Sequence, residues 1–160
     1  MGHGAALAIA TALVALATPA FSADRQTPAA GTNRTAFDAA EEELLRAASD
    51  GDNGAVRALA DFYAAHALWP ETLAALGRLQ SADAGAAKLA VEAEYRSGRY
   101  RRAAARAETV ADARAFRAMA LVRLGAFAQA AAVFEGTTPP PGLEADYYLT
   151  AAEAFLETGD

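Results

Sequence analysis

Hydrophobic residues follow helical spacing from Phe37 onward. Phe37, Leu44 and Ala48 recur at intervals that place them on one face of a helix, while three consecutive glutamates cover another face. Apolar residues at every third or fourth position predict an amphipathic helix. We expect this first helix to end near Ser49, because the residues at 50–53 are turn formers that suit a helix boundary.

The same spacing then predicts paired helices joined by short turns. Each pair forms an αα-hairpin, and the prolines at 139–141 separate the last two units, because no helix continues through consecutive prolines. Alanine is the commonest residue, and strands are not expected because alanine favours helix. The predicted units are 53–80, 84–110, 111–138 and an incomplete fourth at 145–160.

Short turns recur at intervals of 31, 27 and 34 positions, at residues 67, 98, 125 and 159. Gly125 and Gly159 lie 34 positions apart, and Gly98 and Ala67 occupy the same place in the two earlier hairpins. A period of about 20–50 residues is typical of proteins built from stacked repeats. Such units bury their apolar faces against one another. The sequence therefore predicts an all-α solenoid of helix-turn-helix repeats, with about three and a half hairpins after an N-terminal helix.

Small and aromatic residues occupy matching places around these turns. After the turn they are Gly98-Arg99-Tyr100 with Ala103, and Gly125-Ala126-Phe127 with Ala130 and Phe134. Before the turn, a small residue stands at Ala60, Val91, Ala118 and Ala152, and a large one at Tyr63, Leu121 and Phe155. On these residues the region 53–160 resembles tetratricopeptide repeats of the bacterial exported type. The departures are Glu94 in place of a large apolar residue, Ala67 in place of glycine and Thr72 in place of alanine.

The resemblance implies a concave groove, lined by the first helices of successive hairpins, that holds a peptide or a partner helix. The groove positions are mixed in charge and lack the Lys and Asn pairs with which some relatives bind a terminal carboxylate, so that ligand is not expected. For each residue, ordinary solvated surface is the alternative. The candidates are Arg57, Lys88, Glu92, Tyr95, Arg96, Met119, Arg123 and Glu153, with Asp61, Ala115, Val122, Leu149 and Leu156 in the same row.

The N-terminus has the pattern of a secretory signal peptide. An apolar run at 5–18 ends at Pro19 and is followed by small residues. We expect a signal at 1–22 with cleavage near Ser22, and a flexible linker at 23–35. The run is shorter than the roughly 20 apolar residues of a membrane helix, so we expect a periplasmic or secreted protein without stable membrane insertion. The first four residues carry no Lys or Arg, which leaves an uncleaved anchor or a misplaced start as alternatives.

The reactive residues argue against an enzyme. The 160-residue chain has no cysteine and two histidines, one inside the predicted signal, so it offers no thiol chemistry, His-containing triad or two-His metal site. It has no glycine-rich phosphate loop. The net charge of −6, with both signs interspersed, disfavours nucleic acid. We interpret the arginines clustered at 99–106 as a solvated helix face, and we expect no catalytic residue, cofactor or metal.

Two functional hypotheses follow from the repeat pattern. The first is an exported scaffold that binds a protein or peptide partner in its groove. The second is an accessory helical domain, or a fragment, of a larger envelope enzyme or an export or assembly machine. Because Thr158-Gly159-Asp160 resembles the turns that introduce a second helix, we expect the natural chain to continue, and a capping helix is the alternative. A chain ending there is expected to expose apolar surface and to self-associate.

Overall fold

The computed structural model describes residues 30–159, and all regular structure in that range is helical. The predicted all-α fold class is therefore confirmed for these residues. Two single-turn 3₁₀ helices, at Ala48–Asp50 and Ala111–Ala113, lie beside longer helices. The α-helices are α1 (Ala30–Ala47), α2 (Asn53–Ala65), α3 (Trp69–Leu76), α4 (Ala84–Arg96), α5 (Tyr100–Ala107), α6 (Arg114–Arg123), α7 (Phe127–Phe134) and α8 (Glu144–Thr158).

Helix α1 begins at Ala30, so residues 30–35 of the predicted flexible linker over 23–35 are helical. The glycine and asparagine in this segment are weak helix formers, and the linker was predicted from them. The helix is anchored further along, where the Phe37 ring lies 4.9 Å from the Phe62 ring. Once a helix is nucleated, each added residue gains a hydrogen bond, so the turns before Phe37 extend it at low cost. The predicted signal peptide and residues 23–29 lie outside the described residues.

Carboxylate caps explain where two of the paired helices begin. The Asp52 carboxylate accepts hydrogen bonds from the amides of Gly54 and Ala55 at the start of α2. Asp83 accepts one from the Ala86 amide, at 2.7 Å, at the start of α4. A carboxylate in this position satisfies amides that have no partner within the helix. Asp52 is therefore the residue that caps α2.

Each α-helix packs against the next one along the chain, and α6 also contacts α4 and α8. The helices thus pair as α2/α3, α4/α5 and α6/α7, and α8 packs against the last pair. Their buried apolar side chains form one cluster centred on α2 and α3 and a larger one that spans α4 to α8. Most of the buried apolar residues in the described range are alanines, whose small size lets helix axes approach closely.

We predict that Ala118→Leu lowers the free energy of unfolding by about 1–3 kcal/mol, because overpacking a filled contact strains its neighbours. Ala118 is fully buried on α6. Ala128→Leu is the matched control, since Ala128 is exposed on α7. Urea unfolding measures both variants. Equal stability of Ala118→Leu and wild type would show that the contact accepts a large side chain.

Ala67 adopts the left-handed conformation that glycine adopts in the later turns. Its φ is +58°, against +73° at Gly98 and +74° at Gly125. A β-carbon in this conformation costs about 1–2 kcal/mol, and the greater unfolded-state entropy of glycine offsets part of that cost. We therefore expect Ala67→Gly to raise the free energy of unfolding by about 0.5–1 kcal/mol.

The control for this prediction is Ala58→Gly, at an exposed position inside α2. Glycine inside a helix costs about 0.5–1 kcal/mol relative to alanine, so the same substitution should have opposite signs at the two positions. Urea unfolding at neutral pH compares them. If both variants were destabilised, backbone strain at Ala67 would not be the dominant effect of this residue on the free energy of unfolding.

Candidate functional site

The predicted groove residues differ in their exposure. Tyr95 is 6% exposed and Met119 is fully buried, so neither faces an open groove, which corrects their prediction as ligand contacts. The cause is that α6 packs against both α4 and α8, and this covers the predicted groove residues of α6 other than Arg123. Ala115 and Val122 are buried with them. The half-buried or exposed candidates are Arg57, Asp61, Lys88, Glu92, Arg96, Arg123, Leu149, Glu153 and Leu156.

One shared carboxylate joins α4, α6 and α8. The Tyr95 hydroxyl donates to Asp146 Oδ2 at 2.6 Å, and Arg123 Nη2 donates to Asp146 Oδ1 at 2.7 Å. Because Asp146 lies in the first turn of α8, it holds that helix against both of the others. The sequence does not indicate this role, since an acidic residue in a first helical turn is common and its partners lie 23 and 51 positions away.

The environment of Tyr95 keeps its hydroxyl protonated. Burial and the hydrogen bond to Asp146 raise the pKa of Tyr95 to about 12. Its ring also lies 5.5 Å from Tyr100 and 5.8 Å from Phe116, measured between ring centres. The same side chain therefore belongs to the apolar core and donates the hydrogen bond that anchors α8.

Ion pairs neutralise most of the accessible charged side chains among the predicted groove residues. Arg57 Nε lies 3.0 Å from an Asp61 carboxylate oxygen, and Arg96 Nε lies 2.9 Å from Glu92. The Arg96 guanidinium also lies 4.9 Å from the ring centre of Trp69, a cation–π distance. Partly exposed pairs of this kind contribute little to stability. They leave α2 and α4 with a charged but locally balanced surface.

Two clefts lie where the beginnings of α2, α4 and α6 approach one another. The first, of about 410 Å³, lies between α2 and α4 and includes Arg57, whose Nη1 is 3.3 Å from Asp83. The second, of about 400 Å³, lies between α4, α6 and the loop before α8, and includes Lys88. Arg57 and Lys88 are each the fifth residue of their helix. Lys88 forms no ion pair with any residue in the described range.

An ion pair between the buried Glu94 and the half-exposed Arg106 accounts for the main departure from the repeat pattern. Glu94 is 4% exposed on α4, where that pattern has a large apolar residue. Its carboxylate accepts hydrogen bonds from Arg106 Nε and Nη2 of α5, both at 3.1 Å. An unpaired charge in the interior is strongly destabilising, so Glu94 requires this partner. The pair joins the two helices of the α4/α5 hairpin, which is a structural role.

Two features are absent from the described residues: a metal-binding cluster and a helix able to span a membrane. Among residues 30–159, no group of three or more histidines, aspartates or glutamates could hold a metal ion. No helix in that part of the chain combines the length and the apolar character that crossing a bilayer requires.

Comparisons with known proteins give no family assignment. No protein-family model matches the chain, and no curated protein or solved structure matches it significantly. The resemblance to tetratricopeptide repeats thus rests on the chain's own residues, namely the glycine turns and the small residues at helix contacts.

The raised pKa of Tyr95 predicts a loss of stability at alkaline pH. A tyrosine in the unfolded chain ionises near pH 10, whereas Tyr95 in the folded protein ionises near pH 12. The unfolded state therefore releases its proton first. The stability contributed by the neutral hydroxyl is fully present below about pH 10 and is lost as the pH rises to about 12. The shift corresponds to roughly 2–3 kcal/mol.

Urea unfolding as a function of pH tests this, and stability should fall less steeply above about pH 10 in Tyr95→Phe than in wild type. At neutral pH the same variant should lose about 1–3 kcal/mol, because Asp146 loses a hydrogen-bond donor. Tyr148→Phe is the control at neutral pH, since its exposed ring should make the change nearly neutral. Identical pH profiles for Tyr95→Phe and wild type would contradict the assigned hydrogen bond.

Proposed function

We propose that this protein is a scaffold of tetratricopeptide-like hairpins that binds a protein or peptide partner along the clefts at the starts of α2, α4 and α6. The observation that carries this proposal is the repetition of the clefts. Their volumes are about 410 and 400 Å³, and each has a basic side chain at the fifth position of a first helix. Stacked repeats offer similar sites at regular intervals, which suits an extended polypeptide.

The charged residues that line the second cleft are Lys88, Asp112 and Arg114, and the charges along α4 support a proposal for the chemistry of the partner. Lys88, Glu92 and Arg96 are spaced four residues apart on α4, so one helix face presents positive, negative and positive groups in turn. Glu92 and Arg96 already pair with each other. Lys88 is the member without an ion pair in the described chain, and a carboxylate of the partner is the group that it would bind. The proposed partner is a peptide segment with an acidic residue that enters the Lys88 cleft.

A second candidate function is an accessory helical domain of a larger envelope assembly. The exposed apolar side chains on α8, Tyr148, Leu149 and Leu156, favour it. Apolar residues grouped on one helix suit packing against further polypeptide. Export in either case depends on the predicted signal at 1–22, which lies outside the described residues.

Selection from a random-peptide phage library tests the scaffold proposal. The immobilised chain should enrich peptides with acidic residues, and the dissociation constant of one such peptide can be measured by calorimetry. Lys88→Glu should weaken binding about 10- to 100-fold, the range expected when a charged hydrogen bond is lost. Arg34→Glu is the control, with a matching change from a basic to an acidic residue at an exposed position of α1. Peptides that bind the wild type and both variants equally would overturn the proposed cleft.

A further inference from the structure

The solvent-facing side of α8 is apolar, whereas the solvent-facing side of a surface helix is typically polar. Tyr148, Leu149, Ala152 and Leu156 are all exposed, and their spacing places them on one side of the helix. The large side chains are 61%, 72% and 79% exposed, in chain order. The opposite side of α8 packs against α6 and α7. We call these four residues the α8 stripe.

Two carboxylates border the α8 stripe along one edge. Glu153 and Glu157 are exposed and one turn apart, and both lie on the same side of Leu156. Neither forms an ion pair with a residue of the described chain. The stripe therefore combines exposed apolar area with unneutralised negative charge, so its best partner surface is apolar and basic.

A surface of that kind exists elsewhere on the same chain. A pocket of about 600 Å³ lies between the α4–α5 turn and the α6–α7 turn, and Arg99, Arg101, Arg102, Tyr100 and Leu124 line it. The three arginines are exposed and have no ion-pair partner among residues 30–159. Leu124 is 43% exposed. In a chain with a net charge of −6, this arginine pocket is a local concentration of positive charge.

We propose that the α8 stripe of one molecule docks into the arginine pocket of a second copy. Leu156 enters beside Leu124, and Glu153 and Glu157 pair with the arginines. The helix cannot reach the pocket of its own chain, because it is packed against α6 and α7. Pairing of two α8 stripes is disfavoured, since each carries the same carboxylates and like charges repel. This inference is independent of the clefts proposed to bind a peptide.

The contact uses different surfaces on the two molecules, so it is heterologous. A heterologous contact produces rings when its rotation closes and open chains when it does not. Each molecule has one stripe and one pocket, and the assembly therefore grows with protein concentration. Its ion pairs lie at the surface and are screened by salt, with a Debye length of about 10 Å at 0.1 M. Association should weaken as the salt concentration rises.

Light scattering of purified protein, combined with a mixing experiment, tests the proposal. The pocket variant is Arg101→Gln with Arg102→Gln, and the stripe variant is Leu156→Gln with Glu157→Gln. All four residues are exposed, so circular dichroism should show an unchanged helix content. At low salt the wild type should increase in mass with concentration, whereas each variant should self-associate at least tenfold more weakly. Glu43→Gln on α1 is an exposed control and should behave as wild type.

Mixing the two variants in equal amounts distinguishes the modes of contact. The pocket variant retains an intact stripe and the stripe variant retains an intact pocket, so the mixture should form a 1:1 complex and nothing larger. A stripe variant that is monomeric beside a pocket variant that still dimerises would indicate symmetric α8 pairing and overturn the proposal. Wild-type protein that stays monomeric at low salt and high concentration would also overturn it, and would assign the stripe to a different partner.

Discussion

Close contact between helices through alanine is the constraint on which the rest of this structure depends. Ala60, Ala118 and Ala154 are fully buried on α2, α6 and α8, and small side chains at a contact allow helix axes to lie near the lower end of about 8–10 Å. Burying one alanine side chain removes little apolar area from water. The stability of the fold therefore comes from contacts between many helix pairs and not from a single large hydrophobic core. The few large buried side chains, such as Phe116 and Leu59, fill the spaces that remain.

The Asp146 carboxylate decides which surface is left for binding. It receives hydrogen bonds from Tyr95 and Arg123, and so it draws the start of α8 towards α4 and α6. With α8 in that place, Met119 on α6 is fully covered, and a continuous open groove along the first helices does not exist there. Accessible concave space lies instead at the beginnings of the helices and at the turns. One interhelical contact thus leaves the proposed binding surface at the helix ends and not on the helix faces.

Local signals in the sequence predicted local structure well. Apolar spacing indicated the helices, and the turn formers at 50–53 indicated the helix boundary at which Asp52 caps α2. The matching place of Ala67 and the turn glycines was also visible, and all of them take positive φ. The burial of Tyr95 and Met119 was not predictable, because it depends on how far α4 and α8 close over α6. Position within a repeat indicates which side a residue is on, but exposure depends on the approach of neighbouring helices.

Groups that lack an internal partner determine where binding free energy is available. A side chain that already has a partner, such as Arg57 or Arg96, gains little from a ligand, because the new contact replaces an existing one. Lys88 and the three arginines of the arginine pocket have no ion pair within residues 30–159. The outer face of α8 has no packing neighbour in that range. Contacts to these groups neutralise charge or remove apolar surface from water without breaking an internal interaction. Partner selection should therefore depend on the ends and edges of the helix stack more than on its balanced row of ion pairs.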